Sequence, residues 1–138
     1  MACRNEATNE NGDMMKENTF QREKKLCLKI DSEILPVIWE DNDSIEELKN
    51  KADPSIVLNS SLYGGFERVC KLPFGIVSSD RRVKAAPGDI MLYQGTSMVL
   101  FYGENTWEYT KLGHVEMDIL VLKDMLTKED VTLELSII

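Results

Sequence analysis

The segment from Gly88 to Gly103, GDIMLYQGTSMVLFYG, constrains the fold more than any other part of the chain. Its only charge is Asp89. Strand alternation turns Ile90 and Leu92 to one face and Met91 and Tyr93 to the other. In the second arm Val99 and Phe101 oppose Met98, Leu100 and Tyr102. The polar break from Gln94 to Ser97 makes the two arms a tight hairpin. Both faces are apolar, so both must be covered. One cover is a hydrophobic interior. The other is a helix, a loop of the same chain or a ligand, and tyrosines, with an apolar ring and a polar tip, suit a pocket rim.

A hairpin of this kind belongs to a larger β structure, and the flanking sequence supplies one. KKLCLKI alternates Leu26, Leu28 and Ile30 with Cys27 and Lys29, and Asp31 to Glu33 turns it into a second strand, ILPVIWE, where Pro36 marks an edge or a bulge. DNDSIEELKNKADP reads as a helix of about two to three turns, with Ser44 and Glu47 as a capping box and Pro54 as its stop. SIVLNSSLYGG and FERVCKLP are strands about Gly64-Gly65. GIVSSDRRVKAAPG reads mainly as loop, with Asp80, Arg81 and Arg82 exposed. TWEYTKLGHVEM is a strand, DILVLKDMLTKED a short amphipathic helix or turn, and VTLELSII a last strand. Many short strands punctuated by turns predict a mainly β barrel or sandwich with one or two short helices.

The chain has 138 residues, enough for one domain with its own core. Residues 1–20 are polar, rich in Asn and Glu and without apolar period, and read as a disordered arm; residues 21–138 form the domain. The net charge of −8 repels phosphate backbones, which excludes nucleic acid as a partner, and no apolar run is long enough to span a membrane. Of three cysteines, Cys27 and Cys70 fall in apolar strand patterns and read as small buried hydrophobes, with pairing between them left open. Cys3 follows Ala2 at the head of the polar arm. Two alternatives stand: the end of a lipobox carrying a lipid anchor at Cys3 on an exported protein, or an ordinary cytoplasmic N-terminus.

Constellations for catalysis are sparse. His114 is the one histidine, and a lone histidine in a strand reads as a surface or hydrogen-bonded residue. No phosphate-binding glycine loop and no Gly-x-Ser-x-Gly elbow occur. The carboxylate pairs Glu46-Glu47 and Glu129-Asp130 are adjacent in sequence and do not face each other across a cleft. No catalytic residue, metal ligand or cofactor is assigned. GGFERVCKL is more informative. Glu67, Val69 and Lys71 alternate with Phe66, Arg68, Cys70 and Leu72, so Glu67 or Arg68 points inward, where a charge needs a partner. That residue is either a structural tie at the barrel end or a polar anchor in a pocket.

The order YGGFERVCKLP, APGDIMLYQGTSMVLFYG, YTKLGHVE resembles the bacterial cyclophilin-like domain family. The matching pieces are EDND, Gly64-Gly65, Glu67, Leu72-Pro73, Pro87-Gly88-Asp89-Ile90, Phe101-Tyr102-Gly103 and Leu112-Gly113, covering about Lys25 to Glu116. The resemblance implies a closed antiparallel cyclophilin-like β-barrel capped by short helices. The prolyl isomerases of this fold carry a Phe-His-Arg motif; here FERV stands in its stead, with Glu67 where the histidine would be. Fold does not imply function. The leading expectation is a non-catalytic module that binds a small molecule or a peptide near Glu67, Arg68, Tyr93, Phe101 and Tyr102. The alternatives are a divergent peptidyl-prolyl isomerase acting through Arg68, and an interaction protein without a small ligand.

Overall fold

A computed structural model describes residues 23–138. The expected polar arm, and Cys3 with it, lie outside the described residues. The order of elements is β1 (Leu26–Ile30), β2 (Glu33–Ile34), β3 (Val37–Trp39), α1 (Asp43–Ala52), β4 (Ser55–Tyr63), β5 (Glu67–Lys71), β6 (Arg81–Ala85), β7 (Asp89–Tyr93), β8 (Ser97–Phe101), β9 (Asn105–Val115), α2 (Ile119–Leu126) and β10 (Leu133–Ile137). The strands form one antiparallel sheet in the order β2-β1-β10-β4-β5-β8-β7-β9-β3, with β6 paired to β9. The sheet curls into a half-barrel, so the fold is mostly β with two helices, as the sequence predicts.

The two ends of the sheet, β2 and β3, are consecutive in sequence, and the reason is Pro36. Proline has no N–H to give a ladder, so the strand expected over ILPVIWE breaks there and changes partners. Its first part pairs with β1 and its second with β9. Leu35 N–H donates to the Leu28 carbonyl at 2.9 Å, and Trp39 Nε1 donates to the Leu26 carbonyl at 3.2 Å, which ties the seam.

The larger core fills the side of the sheet that the helices cover. Leu28, Ile30, Ile90, Leu92, Met98, Leu100, Leu133 and Leu135 meet Ile45, Leu48 and Ala52 of α1 and Leu122 and Leu126 of α2. The helix start differs from the expected capping box. Asn42 is the N-cap, its Oδ1 accepting from Ile45 N–H at 2.9 Å. Ser44 and Glu47 instead hold one backbone unit of the loop before β6. Ser44 Oγ donates to the Val77 carbonyl at 2.6 Å, and Val77 N–H donates to Glu47 Oε1 at 2.5 Å. That hydrogen bond, aided by Lys51, holds the Glu47 carboxyl below its usual range.

β6 is a second departure. RRVKA pairs with the first half of β9, from Arg81 opposite Tyr109 to Ala85 opposite Asn105. Only Val83 and Ala85 turn to apolar neighbours, so a ribbon charged at three of five positions carries no apolar period to betray it. Cys27 and Cys70 are both free and buried, which answers the open pairing. Burial pushes the Cys70 thiol up to about 12, so it stays protonated.

The Pro87-Gly88-Asp89 turn has a structural role. Gly88 has φ of +95°, and a Cβ there would lie 2.8 Å from His114 Cε1. His114 sits opposite Asp89 across the β7–β9 ladder, and its Nδ1 is 2.8 Å from Asp89 Oδ1. Asp89 Oδ2 accepts from Ala86 N–H at 2.9 Å. The lone histidine is thus a hydrogen-bonded strand residue, as expected, and it braces a turn.

Candidate functional site

The other face of the sheet is an open groove of about 970 Å³. It follows from period-two alternation carried across five strands in register. Ser61 of β4, Val69 of β5, Val99 of β8 and Met91 of β7 are successive cross-strand partners. One step along, Tyr63, Glu67 and Phe101 form the next row. On the far side β9 offers Asn105, Trp107 and Tyr109, spaced by two. Phe66 enters from the β4–β5 turn, where Gly64 and Gly65 both have positive φ and a Cβ on Gly64 would strike the Phe66 ring.

The floor is a small second cluster: Phe101, Met91, Val99, Tyr109 and Ala85. Its rings touch in sequence. Phe66 stacks on Phe101 at 6.3 Å between centroids, Phe101 meets Tyr109 edge-on at 5.5 Å, and Tyr109 meets Tyr93 at 6.3 Å. Five of the chain's ten aromatic residues line the groove, a concentration that neither faces the helices nor serves the main core. Trp107 is 48% exposed and Tyr63 65%, so the rim is apolar surface in water.

Glu67 stands between Tyr63 and Phe101 in the cross-strand row and is only 7% exposed. Burial pushes its carboxyl up to about 7, and among the described residues no hydrogen bond or ion pair offsets that. Tyr109 is raised as well, first by burial, against the Asn105 amide that donates to its phenol oxygen at 2.9 Å, and with the charges of Glu67 and Tyr93 adding to the shift. A carboxyl poised near neutrality accepts from a cation when ionised and donates a hydrogen bond when protonated. Among the described residues, the groove's lining includes no second carboxylate and no histidine to complete an acid–base pair.

The five residues expected at one site divide between the two faces. Glu67 and Tyr93 line the groove, and Phe101 lies beneath it. Arg68 and Tyr102 do not join them. Tyr102 packs in the main core. Arg68, 1% exposed, points to the helix side, where its Nε donates to the Leu126 carbonyl at 2.8 Å, one terminal nitrogen to Ser60 Oγ at 2.7 Å and the other to the Lys128 carbonyl. It therefore satisfies carbonyls at the C-terminal end of α2. The expectation that one of Glu67 and Arg68 points inward and finds a partner is met by Arg68, and Glu67 is buried as well. They lie on opposite faces, Arg68 on the helix side and Glu67 in the row between Tyr63 and Phe101. Sequence reading missed Tyr63, Phe66, Asn105, Trp107 and Tyr109; the alternation of Asn105, Trp107 and Tyr109 within NTWEY was the available signal.

These features define a class: a mostly β, barrel-like antiparallel sheet with helices on one face and a groove on the other. The chain belongs to the cyclophilin-like family, whose model matches residues 28–136. Searches of curated proteins and of solved structures returned no match to it. Among the described residues no helix is long and apolar enough to cross a membrane.

Proposed function

We propose that this protein is a non-catalytic binding module that takes a small molecule or a short peptide segment in the groove. Glu67 is its polar anchor, and Tyr93 with Tyr63, Phe66 and Trp107 supplies contact area. The observation that carries this reading is the Glu67 carboxyl, buried at the groove floor without a partner among the described residues. A buried polar group without a partner destabilises the fold, and a ligand is the partner this geometry admits. The volume, about 970 Å³, and the mix of aromatic walls with few polar groups are those of a small-ligand site.

The isomerase alternative acts through Arg68, which would have to reach a substrate. Its guanidinium is instead buried and committed to three acceptors on the opposite face. Arg68 and Tyr102 are therefore no part of the proposed site.

Thermal-shift screening against a broad library of metabolites and short peptides tests the proposal. A ligand at 100 times its dissociation constant adds about 2.7 kcal/mol of stability. Hits that disappear in Trp107→Ala, at the rim, support the groove. A library without a single stabilising compound counts against it.

A further inference from the structure

We propose that the ligand is a small organic ammonium ion, its protonated amine set against the Glu67 carboxylate and its apolar body laid on the aromatic walls. This rests on the reading of the groove as a ligand site and names the chemistry that site selects.

Three observations converge on a cation. The first is the carboxyl without a partner among the described residues. Glu67 is walled by Tyr63 and Phe101 in its own row, and no described residue donates to it. Among the described residues the lining's only cationic side chain is Lys71, four residues further on the same strand face. At strand rise that is about 13 Å between backbones, and Lys71 offers Glu67 no ion pair. A charge-assisted hydrogen bond from an ammonium N–H is the contact that would offset the burial of this group.

The second observation is the rings. Tyr63, Phe66, Tyr93, Trp107 and Tyr109 all border the same space. Aromatic faces carry the negative end of the ring quadrupole and attract cations, most strongly where water is excluded. A neutral ligand would use the rings but leave the carboxylate charge uncompensated.

The third is the field of the whole molecule. The net charge of −8 raises the local concentration of cations and repels anions. An anionic ligand would meet that field and then Glu67 itself.

Among the described residues, the titratable groups sharing the face with Glu67 are Tyr63 on β4, Lys71 on β5, Asp89 and Tyr93 on β7, and Tyr109 and Lys111 on β9. β8 contributes Ser97, Val99 and Phe101, and β6 turns Val83 and Ala85 toward the cluster with the exposed Arg81 on the same side, opposite Tyr109. Asp89 is already engaged, its Oδ1 2.8 Å from His114 Nδ1 and 3.8 Å from Lys111 Nζ, so Glu67 is the buried acid on this face without a partner among the described residues. With its carboxyl at about 7, the ionised fraction rises about tenfold between pH 6 and pH 8.

The test is a calorimetric titration of the full chain with phenethylammonium, phenylethanol and phenylacetate, at pH 6 and pH 8, in wild type and Glu67→Gln. Phenethylammonium is expected to bind wild type at pH 8 and to weaken about tenfold at pH 6. The near-isosteric Gln variant should bind it at least about tenfold more weakly, with no pH dependence. Phenylethanol should bind more weakly and ignore both pH and variant. If phenylethanol or phenylacetate binds as tightly as the amine, or if amine binding is the same in Glu67→Gln, the ammonium assignment is overturned while the groove stands as a ligand site. Failure of all three probes also overturns it, and the broad library then decides the wider proposal separately. The pH dependence in wild type alone keeps the test decisive should the variant fold poorly.

Discussion

Glu67 and Arg68 are neighbours on one strand, both charged and both buried, and they meet opposite fates. Arg68 faces the helix side and gives its donors to two backbone carbonyls and a serine hydroxyl. Glu67 faces the groove and receives nothing from any described residue. The same contrast separates the two faces of the sheet. The helix side is closed by α1 and α2 and packed with aliphatic residues; the groove side is a thin aromatic floor open to solvent. One charge is built into the architecture, and the other is left for something outside it.

The most severe way to probe this contrast is Arg68→Ala. It strands the Leu126 and Lys128 carbonyls and removes a buried side chain, so it should destabilise the fold by about 3–5 kcal/mol, read by urea denaturation. A loss under about 1 kcal/mol would mean that the arginine is no structural tie, and the comparison would collapse.

Glu67→Gln should act in the opposite direction and with pH. The folded carboxyl titrates at about 7 and the unfolded one at 4.5. Between those values the native state holds the extra proton, so the wild type loses stability as pH rises through this window. The loss should be about 1–2 kcal/mol, reduced from the full shift because the carboxyl opens on solvent in the groove. Subtracting the pH–stability curve of the Gln variant isolates it. A flat difference between pH 5 and pH 8 would show that Glu67 has a partner after all.

The smallest effect belongs to the rim. Trp107→Ala should change stability by less than about 0.5 kcal/mol, since the ring is half-exposed and stands outside both core clusters. The same substitution should abolish ligand stabilisation in the thermal-shift screen. A large loss of stability without ligand would move Trp107 from the site to the scaffold.

Much of the scaffold was legible in local pattern. The two-faced apolar hairpin required a sheet covered on both sides, and β7 and β8 are buried along nearly their whole length. The helix over residues 43–52 announced itself by Ile45 and Leu48 and its stop at Pro54, although Asn42 rather than Ser44 proved to be the cap. β6 was not legible, because Arg81, Arg82 and Lys84 are exposed and Val83 and Ala85 alone make too short an apolar period to stand out.

The site was legible only in part. Alternation placed Glu67 and Arg68 on opposite faces of one strand, but it is silent on which face of each strand joins which face of the next. Tyr93 and Tyr102 looked alike in sequence, and cross-strand register sends the first to the groove and the second to the core. The sequence by itself determined most of the strands, the central hairpin and the family. Tertiary structure alone decided which charge found a partner, because register and the docking of α2 bring Arg68 to carbonyls 58 and 60 residues away and bring no such group among the described residues to Glu67.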